Sequence, residues 1–249
     1  MSGVKISAVI ITFNEEKNIG RCIDSLDEVA DEILVIDSRS RDRTVEIAES
    51  MGARVIVHDF EGHIQQKNFA LDQAKYDHIL SLDADEALSI ELLAAIKKVK
   101  ADWNYSAYRC NRLNHFCGRW IKHGLWYPDR KIRLWDRRQG RWGGRNPHDK
   151  VILVEGSEIM NIRGDILHYT VSNIEQYYSQ INKFSTIQAA QLKKEGFKPN
   201  PYHLLFKPVY KFFVGYFIRM GFLDGWRGYM IARGQALGVY LRYAKIRND

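Results

Sequence analysis

Ile79-Leu80-Ser81-Leu82-Asp83-Ala84-Asp85-Glu86 is a short apolar run that ends in three carboxylates within four positions. A run of this length reads as a buried strand. Asp83, Asp85 and Glu86 then fall just past its carboxyl end, where open α/β sheets bind ligands. Crowded carboxylates repel one another unless a cation neutralises them. Oxygen ligands suit a hard ion such as Mg²⁺ or Mn²⁺, which usually binds one or two carboxylates together with substrate phosphates. The stretch therefore suggests a metal-bridged phosphate site. The competing reading is a solvated turn that leads into the next helix, with Ser89 as its N-cap.

Working outward, the first hundred residues alternate between strand and helix. Ile6–Thr12, Glu32–Ile36, Arg54–His58 and His78–Leu82 read as strands. Helices are expected from about Glu15 to Asp27, capped by Asn14, from Thr44 to Met51, ended by Gly52, over 63–75, and over Ser89–Lys100. Four βα units at this spacing predict a parallel sheet with right-handed crossovers. Between 103 and 170 Gly, Trp and Arg become frequent. Tyr108–Leu113, Lys131–Trp135, Lys150–Val154 and Arg163–His168 could be strands of a mixed sheet. From Ser172 onward the pattern is helical, over 173–195, about 203–221 and 225–245.

The chain has 249 residues, enough for a full core, and a net charge of +7. That charge is unevenly spread. Residues 1–100 hold 12 basic and 19 acidic side chains, whereas residues 101–249 hold 25 and 11. The basic half should attract an anionic membrane, a phosphorylated acceptor or nucleic acid. Cys22, Cys110 and Cys117 include no C-x-x-C pair, so neither a disulfide framework nor a standard zinc site is indicated, and a reducing cytoplasm is expected. His115, His123 and His168 do not complete a standard zinc spacing with them. Val4–Phe13 is too short to span a membrane and lacks a cleavage site.

The motifs in order carry more than any one alone. Ala8–Glu15, Glu32–Ser38 followed by Ser40, Asp42 and Thr44, Gln66–Ala70 and Leu82–Glu86 resemble family 2 glycosyltransferases of the GT-A fold. Among these the chain is most similar to the small enzymes that add a sugar to lipopolysaccharide inner core, including a β-1,4-glucosyltransferase type. The resemblance implies a Rossmann-like mixed α/β sheet of the nucleotide-diphospho-sugar transferase type with a C-terminal helical extension. It implies a catalytic domain over 1–170, divided into a nucleotide-sugar half (1–100) and an acceptor half (101–170), with helices over 171–249. It also implies roles: Thr12, Asn14 and Glu15 at the nucleoside, Asp37 on uracil, Lys67 beside uracil and the diphosphate, Asp83 nearer the ribose, and Asp85 with Asp83 as the DxD metal element. The cofactor would be Mg²⁺ or Mn²⁺ and the donor a UDP-sugar. Each role suits its residue: a carboxylate accepts the imide N–H of uracil, and lysine offsets diphosphate charge. The sequence departs from the family at Arg39 and Arg41, where the usual pattern has glycine and an uncharged residue.

An inverting transfer needs a carboxylate to take the acceptor proton. Trp142–Lys150 is the candidate segment, with Asp149 as base and His148 as the alternative; a structural ion pair between Asp149 and an arginine is the competing reading. Residues 119–150 hold ten Lys/Arg against three Asp, interleaved with tryptophans, so Trp142, Arg145 and His148 are acceptor-side candidates. The expected reaction moves a hexose, glucose favoured, to a lipopolysaccharide-core-like or other lipid-linked anionic glycan. In residues 204–222, Lys207, Lys211 and Arg219 fall on one side of a helix that could meet the cytoplasmic membrane face, pack on the core or form a dimer. Two other readings compete. A sugar-nucleotide nucleotidyltransferase is disfavoured because Thr12–Glu16 has no glycine, and a nucleic-acid-binding protein because the first half is acidic and lacks a standard motif.

Overall fold

The apolar runs at 6–12, 32–37, 54–57 and 78–83 pair as parallel strands; all are largely buried except the edge run 54–57, which is exposed at both ends. The computed structural model describes residues 3–145 and 148–247, and of Arg145 and His148 the backbone alone. The elements are β1 (Ile6–Thr12), α1 (Ile19–Asp24), β2 (Glu32–Asp37), α2 (Thr44–Ser50), β3 (Arg54–Val57), α3 (His63–Gln73), β4 (His78–Asp83), β5 (Glu86–Leu88), α4 (Ile90–Ala101), β6 (Ala107–Phe116), β7 (Arg119–Ile121), β8 (Asp129–Asp136), β9 (Gly140–Arg145), β10 (His148–Leu153), β11 (Ile159–Val171), α5 (Ile174–Lys194), α6 (Lys207–Phe213) and α7 (Gly225–Arg247). Among the described residues, the main sheet runs β3-β2-β1-β4-β8-β6-β11-β5, with β7 on β6, and β9 and β10 form a separate hairpin.

The chain divides into two compact units, one of residues 1–112 and 129–168, the other of 113–128 and 169–249. In the first, side chains alternate along β1. Ile6, Ala8 and Ile10 join Ile19, Leu26, Val35, Leu80 and Leu92 on one face, and Val9 joins Leu34, Ile36, Leu71, Trp135 and Trp142 on the other. Strand β8 enters antiparallel beside β4, and this makes the sheet mixed. Ser89 is the N-cap of α4, its hydroxyl accepting the Leu92 N–H at 3.2 Å.

One expected helix starts late. Asn14 does not cap it. Asn14 sits in the left-handed region (φ 54°), donates its N–H to Ser40 Oγ and accepts the Arg41 N–H, both at 2.8 Å. With its side chain spent on the neighbouring loop, residues 15–18 form a turn and α1 begins at Ile19. The carboxylate stretch is not simply a turn either: Glu86 opens β5, which pairs antiparallel with β11.

In the second unit α5, capped by the Asn173 side chain, packs on α7. Gly234 permits this approach, since a Cβ there would lie 2.4 Å from the Tyr177 ring. Residues 202–218 form one helical run, α6 flanked by a π-turn at each end, and it packs on α7. Lys207 donates to the Tyr243 hydroxyl at 3.2 Å, so this cation turns towards α7 and not outward. No helix among the described residues is long and apolar enough to cross a membrane.

Candidate active site

Parallel register sets the site. Thr12 is level with Asp37 on β2, and Ile11 with Asp83 on β4, so three strands deliver Thr12, Asp37 and Asp83 at their adjacent carboxyl ends. The loops after β1 and β2 are laced together. Besides the Asn14 bonds, Glu15 N–H donates to Thr44 Oγ1 at 2.8 Å, and Glu16 N–H to Asp42 Oδ2 at 3.2 Å. Asp37 is buried; its Oδ2 accepts the Ser40 N–H at 2.8 Å. Its Oδ1 and the Thr12 hydroxyl are buried without a hydrogen-bond partner among the described residues. Such groups are costly unless something satisfies them.

Lys67, on α3, is the centre of the charge network. Its ammonium lies 3.0 Å from Asp83 Oδ1 and 2.8 Å from Asp149 Oδ2, and 4.4 Å above the Trp142 ring. Arg133, on β8, is buried 3.4 Å from Asp83 and 3.0 Å from Glu86, with Arg112 3.4 Å from Glu86. Burial would raise the Asp83 pKa, but Lys67 and Arg133 outweigh it and hold the carboxyl well below the usual range. Burial would likewise lower the Arg133 pKa, and Glu86 and Asp83 reverse this, so the guanidinium stays charged. Glu86 is fully buried, and its Oε2 accepts the Asp83 N–H at 3.1 Å. It is the internal brace of the carboxylate stretch.

Asp85 faces another way. Its Oδ2 lies 3.2 Å from His168 Nε2. Burial raises the pKa of Glu15, the Asn18 amide opposes this, and Asp85 and Asp42 add to the rise. Among the described residues no group of three or more His, Cys, Asp and Glu could by itself hold a metal ion. Asp83 is engaged by Lys67 and Arg133, while Asp85 and His168 face each other and are able to meet one. The carboxylate suits a hard ion whose other ligands are phosphate and water, and the imidazole favours a transition ion such as Mn²⁺ over Mg²⁺.

The residues expected from sequence are thus distributed unevenly. Thr12, Asp37, Lys67, Asp83 and Asp149 lie on adjoining strand ends or in direct contact with one another. Asn14 and Glu15 lie in the loop that follows β1. Asp149 pairs with Lys67, and its charge also acts on Arg133. Trp142 is buried, packed edge-on against Trp135 at 5.7 Å and beneath Lys67, with its indole N–H unpartnered among the described residues. The side chains of Arg145 and His148 lie outside the described residues. The sequence carries no signal that Arg133 and His168 partner the DxD carboxylates, because each reaches them from a segment far away in the chain. Arg39 keeps the turn where the family has glycine: it adopts φ 63° and is held by an ion pair with Asp59.

Residues 7–156 match the family model for Glycosyl transferase family 2. The chain belongs to glycosyl transferase family 2. An uncharacterized glycosyltransferase of Rickettsia bellii is 35% identical over 98% of this chain and 86% of its own length. A lipopolysaccharide core biosynthesis glycosyltransferase of Rhizobium meliloti, LpsC, is 31% identical over 97% of this chain and 91% of its own. The structure of S. aureus TarS 1–349 in complex with UDP aligns with a TM-score of 0.49 and 16% identity, covering 97% of this chain and 91% of that one. As a family 2 glycosyltransferase the chain is an enzyme of mixed α/β GT-A fold with C-terminal helices.

Proposed function

We propose that this glycosyltransferase uses a UDP-sugar, with inversion, to glycosylate a lipopolysaccharide-core-like or other lipid-linked anionic glycan, with glucose the favoured hexose. The observation that carries the donor assignment is the pair of buried, unpartnered oxygens on Thr12 and Asp37 at adjoining strand ends. The Asp37 Oδ1 acceptor suits the imide N–H of uracil. A guanine edge offers that carboxylate a different shape and donor pattern. Similarity to a lipopolysaccharide core enzyme across nearly the whole chain supports the acceptor class.

Lys67 offers the ammonium to the donor diphosphate, and Arg133 adds a second charge behind it. Asp85 and His168 are the residues that would hold Mg²⁺ or Mn²⁺, which when bound offsets the charge of the departing diphosphate. Asp149 is the general base, taking the acceptor hydroxyl proton during in-line attack at the anomeric carbon. Its contact with Lys67 couples the two halves of the reaction. When the diphosphate draws the ammonium away, Asp149 Oδ2 is released to meet the acceptor.

Calorimetry and transfer assays test the reading together. UDP should bind at least tenfold more tightly than GDP, and Asp37→Ala should erase most of that preference. Asp149→Asn should lower transfer by about 10²–10⁴ while UDP binding persists. Equal affinities for UDP and GDP would refute the uracil assignment, and undiminished transfer by Asp149→Asn would refute the base.

A further inference from the structure

The helical run 202–218 shows α7 its cations and shows the exterior its apolar side chains. Lys207 reaches the Tyr243 hydroxyl, and its ammonium lies 5.3 Å from that ring's centroid. Lys211 is partly buried, and burial, then Arg242, lowers its pKa. Phe212 and Tyr216 stack on each other and edge against Tyr229 of α7. On the opposite side Leu205, Phe206, Val209 and Tyr210 are 63%, 63%, 67% and 68% exposed. Phe213, Phe217 and Ile218 continue the stripe at helical spacing, and Met220, Phe222, Leu223 and Trp226 extend it through the following turn, all exposed. Single exposed apolar side chains need no account, but a contiguous stripe marks an interaction surface.

Charge selects the occupant. The unit formed by 113–128 and 169–249 holds fourteen Lys and Arg against four acidic residues. No carboxylate occurs between Glu195 and Asp224. Asp224 is itself buried, accepting the His123 N–H at 2.9 Å. Lys198 and Arg219 are exposed within the same stretch. A second copy docked here would bring like-charged surfaces together with no acidic residue from this stretch to offset them, a costly juxtaposition. An anionic bilayer presents acyl chains to the stripe and negative headgroups to its cationic surroundings.

We propose that the outward apolar face of residues 202–226 inserts into the headgroup region of an anionic membrane, with the helical run lying in the plane of the surface. Insertion of the apolar stripe, not the inward Lys207 and Lys211, provides the attachment. The donor assignment plays no part in this, so either can fail alone.

Flotation of the full chain with vesicles of phosphatidylcholine containing 30% phosphatidylglycerol tests it. Wild type should float at low salt, and less with phosphatidylcholine alone. The variant Phe206→Ser/Val209→Ser/Tyr210→Ser should lose at least tenfold in partitioning with its far-UV circular dichroism unchanged. Lys207→Gln/Lys211→Gln should stay within about twofold of wild type. Brominated acyl chains should quench wild-type tryptophan fluorescence through Trp226, a measurement that needs no variant. The proposal is overturned if wild type stays unbound and unquenched, or if the serine variant floats like wild type. It is equally overturned if light scattering shows a wild-type dimer that the serine variant dissolves without vesicle binding, since a second copy then covers the stripe.

Discussion

Lys67 has carboxylates on both sides and is 4% exposed, whereas Asp149 is 12% exposed. A buried cation between two anions is more costly to remove than to keep. Breaking a buried pair by deleting one partner typically costs about 3–5 kcal/mol. Asp83 retains Arg133, so the loss for Lys67→Met should fall near 3 kcal/mol, most of it from the stranded Asp149 carboxylate. Adding Asp149→Asn should therefore return at least about 1 kcal/mol, a coupling that a double-mutant cycle in urea measures directly. Additive losses would mean that the two groups do not share an ion pair in solution. At this scale the motifs were informative for Asp37 and Asp83, which lie at adjoining strand ends, and for Lys67, which reaches Asp83 from α3. They were silent on Arg133, whose contact with Asp83 exists because β8 enters the sheet beside β4 from fifty residues away. Glu86 shows the same limit: in sequence it is a third carboxylate beside the DxD pair, yet Arg112 and Arg133 hold it inside the protein. Arg39 shows a local departure absorbed without loss of the turn. A non-glycine residue in the left-handed region costs about 1–2 kcal/mol. A β-branched residue fits it worst, so Arg39→Val should destabilise by roughly that amount while Arg39→Gly is tolerated, as urea midpoints would report. A valine variant as stable as wild type would mean that the turn relaxes out of the left-handed region.

Strand and helix placement in the first hundred residues was legible because β1, β2 and β4 are largely buried on both faces, so apolar runs mark them directly, and the edge strand β3 keeps a short β-branched run. The exception is α1, where Asn14 hydrogen-bonds across to the β2 loop in place of its own helix, a choice that only the tertiary neighbour Arg41 dictates. The short β5, β7 and β9 are three to six residues each and carry Gly, Arg or Glu, so no period distinguishes them from loops. At the opposite end of the parallel strands Glu32 ties several elements together. It accepts from Ser7 Oγ at 2.5 Å on β1, from Arg54 Nη2 at 2.7 Å on β3, and from the Lys75 N–H at 2.6 Å after α3. Burial raises its pKa, but the Ser7 and Arg54 contacts outweigh burial and leave it below the ordinary glutamate value. A carboxyl whose folded pKa is depressed stabilises the fold above its unfolded pKa and loses that contribution as pH falls through the folded value. Glu32→Gln should therefore lower stability by about 1–3 kcal/mol at pH 7. The gap to wild type should narrow steadily below about pH 4.5. Urea midpoints at pH 7 and pH 3.5 give the answer; a gap that stays constant across that range would show that the charge on Glu32 contributes nothing.

The two units carry opposite net charge: residues 1–112 and 129–168 hold 23 Lys and Arg against 26 acidic side chains, while the remainder holds 14 against 4. An anionic donor thus has to bind within the net-negative unit. Long-range attraction cannot account for that; on the proposed reading the local cations Lys67 and Arg133 would supply it, together with any divalent ion that Asp85 and His168 would hold. Binding should accordingly stabilise one unit in particular. A ligand at a hundred times its Kd adds about 2.7 kcal/mol to the state that binds it. In a chain of this size that corresponds to a rise of roughly 5–10 °C in Tm. UDP with Mn²⁺ should produce such a shift, and either alone a smaller one, because the diphosphate supplies ligands that the protein does not. If the units unfold in separate steps, the step belonging to the first should move while the other stays. Hydrogen exchange gives the spatial test. Added protection should fall on residues 12–16, 38–44, 66–68 and 83–86, whose backbones form the strand-end cluster and its two interlaced loops, and should leave α5 and α7 unchanged. A saturating UDP–Mn²⁺ mixture that leaves both Tm and exchange unaltered would remove the donor site from these strand ends. Protection concentrated in 174–194 or 225–247 would instead locate nucleotide binding on the basic unit, where the charge of the chain is greatest.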